Sequence, residues 1–264
     1  MYIGDIAITS LETISCFEIG TGLPLFIMDE LQNATIANSE DKQDITGKQG
    51  RKLTSLKRNK AVTVSGTNGM LSGGMLELQT GCKFENKTTE VQWIDYLTVN
   101  GNAAMTNFTA VGTTGAEISH ILIKDKKGVP EKQLMQSADA GETTFAYNPT
   151  SKAITFSGVE DGTEIIVYYK RKIAANVLEN MSDSYSGKCM MYIDAFGEDK
   201  CANVYHVQIF IPKADFSGNF EFAMGDNQTV HAFEAEALAG GCGGSNALWT
   251  YTIFGANAAD AKSA

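Results

Sequence analysis

Short apolar runs that alternate with polar residues, and that end at Gly, Asn, Asp or Ser, recur along most of this chain of 264 residues. Residues 61–65, AVTVS, alternate in this way and are followed by the turn sequence GTNG. In the middle of the chain, FAYNPTSKAITFSG has the pattern of a strand, an Asn-Pro turn and a second strand. Because alternation with period two is typical of half-buried strands, the sequence predicts a mainly β fold.

Three strand-rich segments are expected along the chain. Residues 1–85 are predicted to form the first half of a β core, residues 86–183 an inserted all-β unit, and residues 184–256 the closing strands of the core. Residues 257–264 are predicted to be a disordered tail. Besides 61–65, strands are predicted at residues 25–28, 34–36, 90–99, 118–123, 144–147, 153–156, 164–169, 189–194, 203–211, 220–224, 229–237 and 248–254. Residues 229–237 fit a strand or a helix, and we favour a strand.

Two short helices are predicted beside these strands. Met70, Met75 and Leu78 have helical spacing, and Gly81 is suited to end a helix, so residues 70–80 are predicted to be helical. A second helix is predicted at residues 174–181, at the end of the inserted unit.

Residues 38–60 are predicted to be a long basic loop in an acidic protein. The chain has 21 basic and 31 acidic residues and a net charge of −10. Six of the basic residues fall within 13 positions: Lys48, Arg51, Lys52, Lys57, Arg58 and Lys60. Because a positive segment and a negative remainder are complementary to copies of the same chain, we predict a subunit interface at these six residues. A solvated surface loop and a DNA-contacting segment remain alternatives. Residues 170–172, KRK, form a smaller basic run with the same alternatives.

No catalytic, cofactor-binding or metal-binding residues are predicted. The chain has no nucleophile elbow, zinc-binding helix motif, calcium-binding loop or phosphate-binding loop. Lone histidines in strands are more often structural than catalytic, and this interpretation applies to His120, His206 and His231. Glu234 and Glu236 would share one strand face, but this spacing is common by chance. We therefore expect a protein that is not an enzyme and that needs no cofactor.

The cysteines and the apolar content limit the class of protein further. The five cysteines have no metal-binding spacing, so reduced thiols are favoured, with a Cys201–Cys242 disulfide as an alternative. No apolar run approaches the length of a membrane-spanning helix, and the first 20 residues lack the pattern of a secretory signal. The net negative charge argues against a general nucleic-acid-binding surface.

Two parts of the chain resemble the major tail proteins, or tail tube proteins, of tailed bacteriophages. The first part is DELQNATI at 29–36 with the stretch from DITGKQG to ELQTG at 44–81. The second is VYHVQIFIPKADFSGNFEFAMGD at 204–226, followed by HAFEAEAL and LWTYTIF. Together with the intervening pattern, the resemblance covers about 60–80% of the chain.

This resemblance implies a β-sandwich or small barrel with a short flanking helix, whose copies close into rings, expected to be hexameric, that stack into a tube. The channel would pass DNA without sequence-specific binding, and the partners would be further copies of the chain and other tail proteins, with no membrane. The subunit would be assembled in the cytoplasm of the host bacterium and would function in the virion. The resemblance places the stacking contact in residues 38–60. Another phage structural component, such as a capsid-decorating or baseplate protein, and a β-sandwich binding or adhesin module remain alternatives.

Overall fold

A computed structural model of the chain describes residues 5–124, 130–224, 230–240 and 246–255. Over these residues the fold is mainly β, with two sheets and one short α-helix, which confirms the predicted fold class. The chain divides into two compact units. Unit 1 consists of Met1–Phe84 and Leu178–Ala264, and unit 2 of Glu85–Val177. Each unit has its own cluster of buried apolar residues.

The elements are numbered in chain order. Unit 1 begins with β1 (Ile6–Phe17), β2 (Pro24–Met28), β3 (Leu31–Thr46), β4 (Lys52–Asn68) and the helix α1 (Gly73–Thr80). Unit 2 contains β5 (Glu85–Thr98), β6 (Ala103–Met105), β7 (Ile118–Lys124), β8 (Pro130–Gln136), β9 (Thr144–Asn148), β10 (Ala153–Thr155) and β11 (Glu164–Val177). The chain then returns to unit 1 with β12 (Lys188–Asp199), β13 (Val204–Phe216), β14 (Phe222–Ala223), β15 (Val230–Ala237) and β16 (Thr250–Gly255).

One antiparallel sheet forms unit 1, with the strand order β2-β1-β12-β13-β15-β4-β3. In addition, β16 pairs with β13 and β14 pairs with β15. Buried side chains from strands far apart in this order, such as Met28 of β2 and Val64 of β4, belong to one apolar cluster. The sheet must therefore curl around this core, because a flat sheet would hold the two strands apart.

Helix α1 closes the core of unit 1, with Met75 fully buried. The Ser72 hydroxyl accepts a hydrogen bond from the backbone N–H of Met75 at 3.3 Å and caps the first turn. Gly81 ends the helix with φ of 71°, and its N–H donates to the carbonyl of Glu77. The helix predicted at 70–80 is confirmed, but it begins at Gly73, because Ser72 supplies the cap.

Gly81 gives a first testable prediction, because its backbone is left-handed and its surroundings are closed. A side-chain Cβ at this position would collide with the carbonyl oxygen of Tyr185. We expect Gly81→Ala to lower the free energy of unfolding by more than about 2 kcal/mol, as measured by urea titration. Gly22→Ala is the matched control, since Gly22 also has φ of 71° but a Cβ added there would meet nothing within 4 Å. Equal losses in the two variants would show that the contact with Tyr185 is unimportant.

A buried amide–imidazole pair holds α1 on β15. The Gln79 side chain donates to the carbonyl of Ala232 at 3.1 Å, and its Oε1 lies 2.8 Å from Nε2 of His231. Burial lowers the pKa of His231, so the folded state favours the neutral imidazole.

Unit 1 is therefore expected to lose stability in mild acid. Below a pH of about 6.5 the unfolded chain binds a proton at His231 that the folded chain resists, so the free energy of unfolding falls as the pH decreases towards the lowered pKa. Urea titrations of the wild type and of His231→Gln between pH 7.5 and pH 5 measure this effect. The variant should show a shallower decline over this range; parallel declines would contradict the prediction.

Unit 2 is a second sheet, with the strand order β5-β11-β7-β8-β9-β10-β6. Its pairs are antiparallel except β8 with β9, which are parallel. The predicted Asn-Pro hairpin is present as β9 and β10, and the Asn148 side chain accepts hydrogen bonds from the N–H groups of Thr150 and Ser151. The buried cluster includes Phe145, Ile154 and Tyr169.

Two predicted elements are wrong. Residues 174–177 of the predicted helix at 174–181 belong to β11, which pairs with β5 without a break from Glu164 to Val177. Pairing with β5 gives the backbone N–H and C=O groups of these residues the hydrogen-bond partners that a helix would otherwise supply. The predicted long loop at 38–60 is instead a β-hairpin formed by the distal parts of β3 and β4. The strand predicted at 229–237, favoured over a helix, is confirmed over Val230–Ala237 as β15; residue 229 lies outside the described residues.

Candidate functional site

The hairpin at residues 38–60, called the arm below, extends the β3–β4 ladder away from the core of unit 1. Paired residues continue to Thr46 and Lys52, and a tight turn follows, in which the N–H of Gly47 donates to the carbonyl of Arg51 at 2.7 Å. Apart from Gly47 and Ser55, which are half-buried, the arm residues are exposed on both faces of the ladder. Each strand contributes about nine residues, so the arm is about 30 Å long.

All six cations predicted as interface residues lie in this arm and are exposed. Lys48 is in the turn, Arg51 follows it, and the other four lie on β4. Two are already paired within the arm, since Lys52 contacts Asp44 at 2.7 Å and Lys57 contacts Glu40 at 2.7 Å. The hydrogen bond from Lys57 lowers the pKa of Glu40.

The other four predicted cations form no ion pair within the part of the chain that the structure describes: Lys48, Arg51, Arg58 and Lys60. The arm as a whole contains seven basic and three acidic residues, a net charge of +4, against −14 for the rest of the chain. The structure thus brings the predicted residues together on one projecting element, whose charge is only partly neutralised from within.

The outward faces of β3, β4 and β15 carry small polar and acidic side chains next to the base of the arm. Their register places Thr35 opposite Ser65, and Ser65 opposite Glu234. We call this surface the small polar face: Asn33, Thr35, Thr63, Ser65, Thr67, Glu234 and Glu236. A shallow depression of 520 Å³ lies over it. No Lys or Arg occupies residues 33–37, 63–67 or 232–236.

The outward faces of β1, β12, β13 and β16 are aromatic instead. We call this surface the aromatic face: Phe17, Tyr192, Phe196, His206, Phe210 and Phe254. The rings contact one another across neighbouring strands, with centroid distances of 4.5 Å between Tyr192 and Phe210 and 4.7 Å between His206 and Phe254. One half of the sheet therefore presents small polar groups to its surroundings, and the other half presents half-exposed rings.

Only two of the three cations in the smaller basic run at residues 170–172 are exposed. The guanidinium of Arg171 lies 3.4 Å from the ring centre of Phe108 and 4.8 Å from that of Trp93. Arg171 is therefore held between two aromatic rings of unit 2, while Lys170 and Lys172 remain exposed. No local sequence pattern indicates this contact, because the rings come from two other segments.

The described cysteines are all free thiols: Cys16, Cys82, Cys189 and Cys201. Cys242, the second partner of the alternative disulfide, lies outside the described residues. Burial raises the pKa of Cys16, which lies beside Cys189 in the core.

Over the described residues, no three His, Cys, Asp or Glu side chains are grouped as metal ligands would be. In the same residues, no helix has both the length and the apolar character needed to cross a bilayer.

A comparison with protein families gives one match. The model of the YomU/Tube protein family, a phage tail tube family, matches residues 6–251. A comparison with curated proteins found no match. Because the family match covers nearly the whole chain, the chain belongs to the YomU/Tube protein family, in agreement with the predicted resemblance to tail tube proteins.

Proposed function

We propose that this member of a phage tail tube family is a tube subunit whose copies close into rings, expected to be hexameric, that stack into a DNA channel. Membership implies a structural subunit of the phage tail. The observation that carries the stacking proposal is the arm. It is a two-stranded hairpin with both faces exposed, and such hairpins are marginally stable unless they pack against something. Contact with a neighbouring copy would supply that packing.

We assign the six arm cations to this contact between subunits: Lys48, Arg51, Lys52, Lys57, Arg58 and Lys60. The arm carries +4 and the rest of the chain −14, so each arm is attracted to the body of another copy. Single exposed ion pairs contribute only about 0–1 kcal/mol each. Repeated around a ring, they set the orientation of the contact.

The small polar face is our candidate for the channel lining. Glu234 and Glu236 place negative charge on this face, and its other side chains are short. Phosphates of passing DNA would be repelled, so DNA would move through without adhering and without a sequence-specific contact. The closing of strands into a continuous barrel would also remove exposed sheet edges.

Unit 2 is proposed to be an insertion on the outside of the tube, and unit 1 to be the tube core. On this proposal the protein acts by assembly, without catalysis or a cofactor. Its partners are other copies, other tail proteins at the ends of the tube, and DNA in transit, with no membrane. Assembly would take place in the cytoplasm of the host bacterium. The family assignment favours this function over the capsid-decorating, baseplate and adhesin alternatives.

Negative-stain electron microscopy of the purified chain tests the proposal. Rings or tubes with a central channel are expected at high protein concentration, and class averages of end views would give the number of subunits in a ring. A chain that remains monomeric at high concentration would overturn the proposed function.

A further inference from the structure

The two faces of the arm differ in chemistry. On one face, Glu40 and Asp44 neutralise Lys57 and Lys52. The register of the ladder places Asp41, Gln43 and Ile45 on the other face, opposite Arg58, Leu56 and Thr54 in that order. The second face therefore combines the apolar side chains of Ile45 and Leu56 with Arg58, which lies opposite Asp41.

The apolar side chains of the arm are unusually open to solvent. Ile45 and Leu56 are each 40% exposed, and Leu53 next to the turn is 67% exposed. Burying the exposed part of these side chains against a partner would contribute favourable free energy, because apolar surface is removed from water. An arm that met its partner through charge alone would not use this free energy. The face with Ile45, Leu56 and Arg58 is thus the face suited to bind.

The aromatic face has the matching properties. A shallow depression of 390 Å³ lies on it, lined among others by Phe17, Tyr192 and Asp194. Asp194 stands among the rings, where its Oδ1 accepts a hydrogen bond from Gln208 at 2.9 Å and lies 3.3 Å from His206. Glu18, directly after Phe17, adds an exposed carboxylate at the edge. The surface is apolar with acidic groups, and the arm has exposed apolar side chains and a net positive charge.

We propose that the arm of one copy docks on the aromatic face of the next copy, with Ile45 and Leu56 against the rings and Arg58 beside Asp194. This proposal rests on the proposed function and names the surface that receives the arm. Because the arm and the aromatic face are different surfaces of one subunit, the contact is head-to-tail. Such a contact does not close a two-fold pair; it forms a ring when its rotation closes and an open stack when it does not, and the proposal takes the open stack.

Two full-length variants test this arrangement. The arm variant carries Ile45→Asp and Leu56→Asp, and the face variant carries Tyr192→Arg and Phe210→Arg. Each is expected to raise the concentration needed for tube formation at least tenfold. The arm variant keeps an intact aromatic face, and the face variant keeps an intact arm. In a mixture, the arm of the face variant should bind the aromatic face of the arm variant, but this complex should not grow into tubes. Mass photometry and pull-down of a tagged partner would detect the complex.

A charge exchange provides a second measurement that does not depend on the apolar substitutions. Arg58→Asp and Asp194→Arg should each weaken assembly, and the double variant should recover at least part of the loss. Circular dichroism of each variant identifies any that fails to fold. If the arm variant or the face variant does not fold, the charge exchange alone tests whether the arm docks on the aromatic face.

The results separate this proposal from the proposed function. If the wild type forms tubes but the folded arm and face variants do not bind each other and the charge exchange restores nothing, the docking proposal is wrong. Normal tubes from the face variant would show that the aromatic face has another partner, which also overturns the proposal. If the wild type forms no tubes at all, the proposed function itself fails.

Discussion

Reversing three cations of the arm, with Arg51→Glu, Arg58→Glu and Lys60→Glu together, is expected to prevent tube formation at concentrations where the wild type assembles. None of the three forms an ion pair within the described part of the chain, so the fold of unit 1 should survive. Each reversal replaces attraction to the acidic body of a neighbour with repulsion. We expect at least a tenfold rise in the assembly concentration, about 1.4 kcal/mol, measured by sedimentation and negative-stain microscopy.

The matched control changes the net charge equally at exposed lysines of unit 2, with Lys132→Glu, Lys170→Glu and Lys172→Glu. This control should assemble as the wild type does. If both triple variants are blocked, total charge rather than the arm controls assembly. If both form tubes at moderate salt, the arm is a solvated hairpin and our assignment of its cations is wrong.

The second large effect is expected at Asp95, the buried carboxylate of unit 2. Its oxygens accept hydrogen bonds from the Tyr169 hydroxyl at 2.7 Å, the Asn107 N–H at 2.8 Å and side chain at 2.7 Å, and the Trp93 indole at 3.0 Å. Burial and the hydrogen bond to Asp95 raise the pKa of Tyr169, so the phenol stays protonated as a donor. Asp95→Ala would leave the buried Tyr169 hydroxyl and the partly buried donors of Asn107 and Trp93 without this acceptor, at a cost of about 3 kcal/mol.

Hydrogen exchange of the full-length chain measures this loss by segment. Amides in Glu85–Val177 should lose protection, while the core of unit 1 keeps it, because the two units have separate apolar clusters. Asp161→Ala is the control, since this exposed aspartate accepts one long hydrogen bond, from the N–H of Asn102 at 3.4 Å. Unchanged protection in Asp95→Ala would show that the hydrogen-bonded cluster contributes little.

The β architecture can be predicted because its signals are local. Alternation in AVTVS and the Asn-Pro turn at Asn148 depend on neighbouring residues, and both are present as predicted. The prediction of a loop at the arm is wrong because most positions on both strands are polar or charged, and the few apolar ones, such as Ile45 and Leu56, are too far apart to give the alternation of a half-buried strand. A weak strand signal remains on both sides of the turn, because β-branched residues are found there at Ile45, Thr46 and Thr54, with Leu53 beside them.

The candidate site can be predicted only in part. The six arm cations are close in sequence, so their charge is evident from the sequence alone. The aromatic face joins Phe17, Tyr192, Phe210 and Phe254 from three parts of the chain, and only the sheet order brings them together. The predicted helix at 174–181 is wrong for a related reason, because the pairing of its first residues with β5 depends on residues about 90 positions away.

A cryo-EM reconstruction of tubes assembled from the purified chain tests the central claim most directly, that the arm joins stacked subunits. We predict that density for residues 38–60 of each subunit reaches a subunit of the next ring, with the small polar face lining the channel. Arms that lie free on the tube surface, without contact to another subunit, would contradict this account.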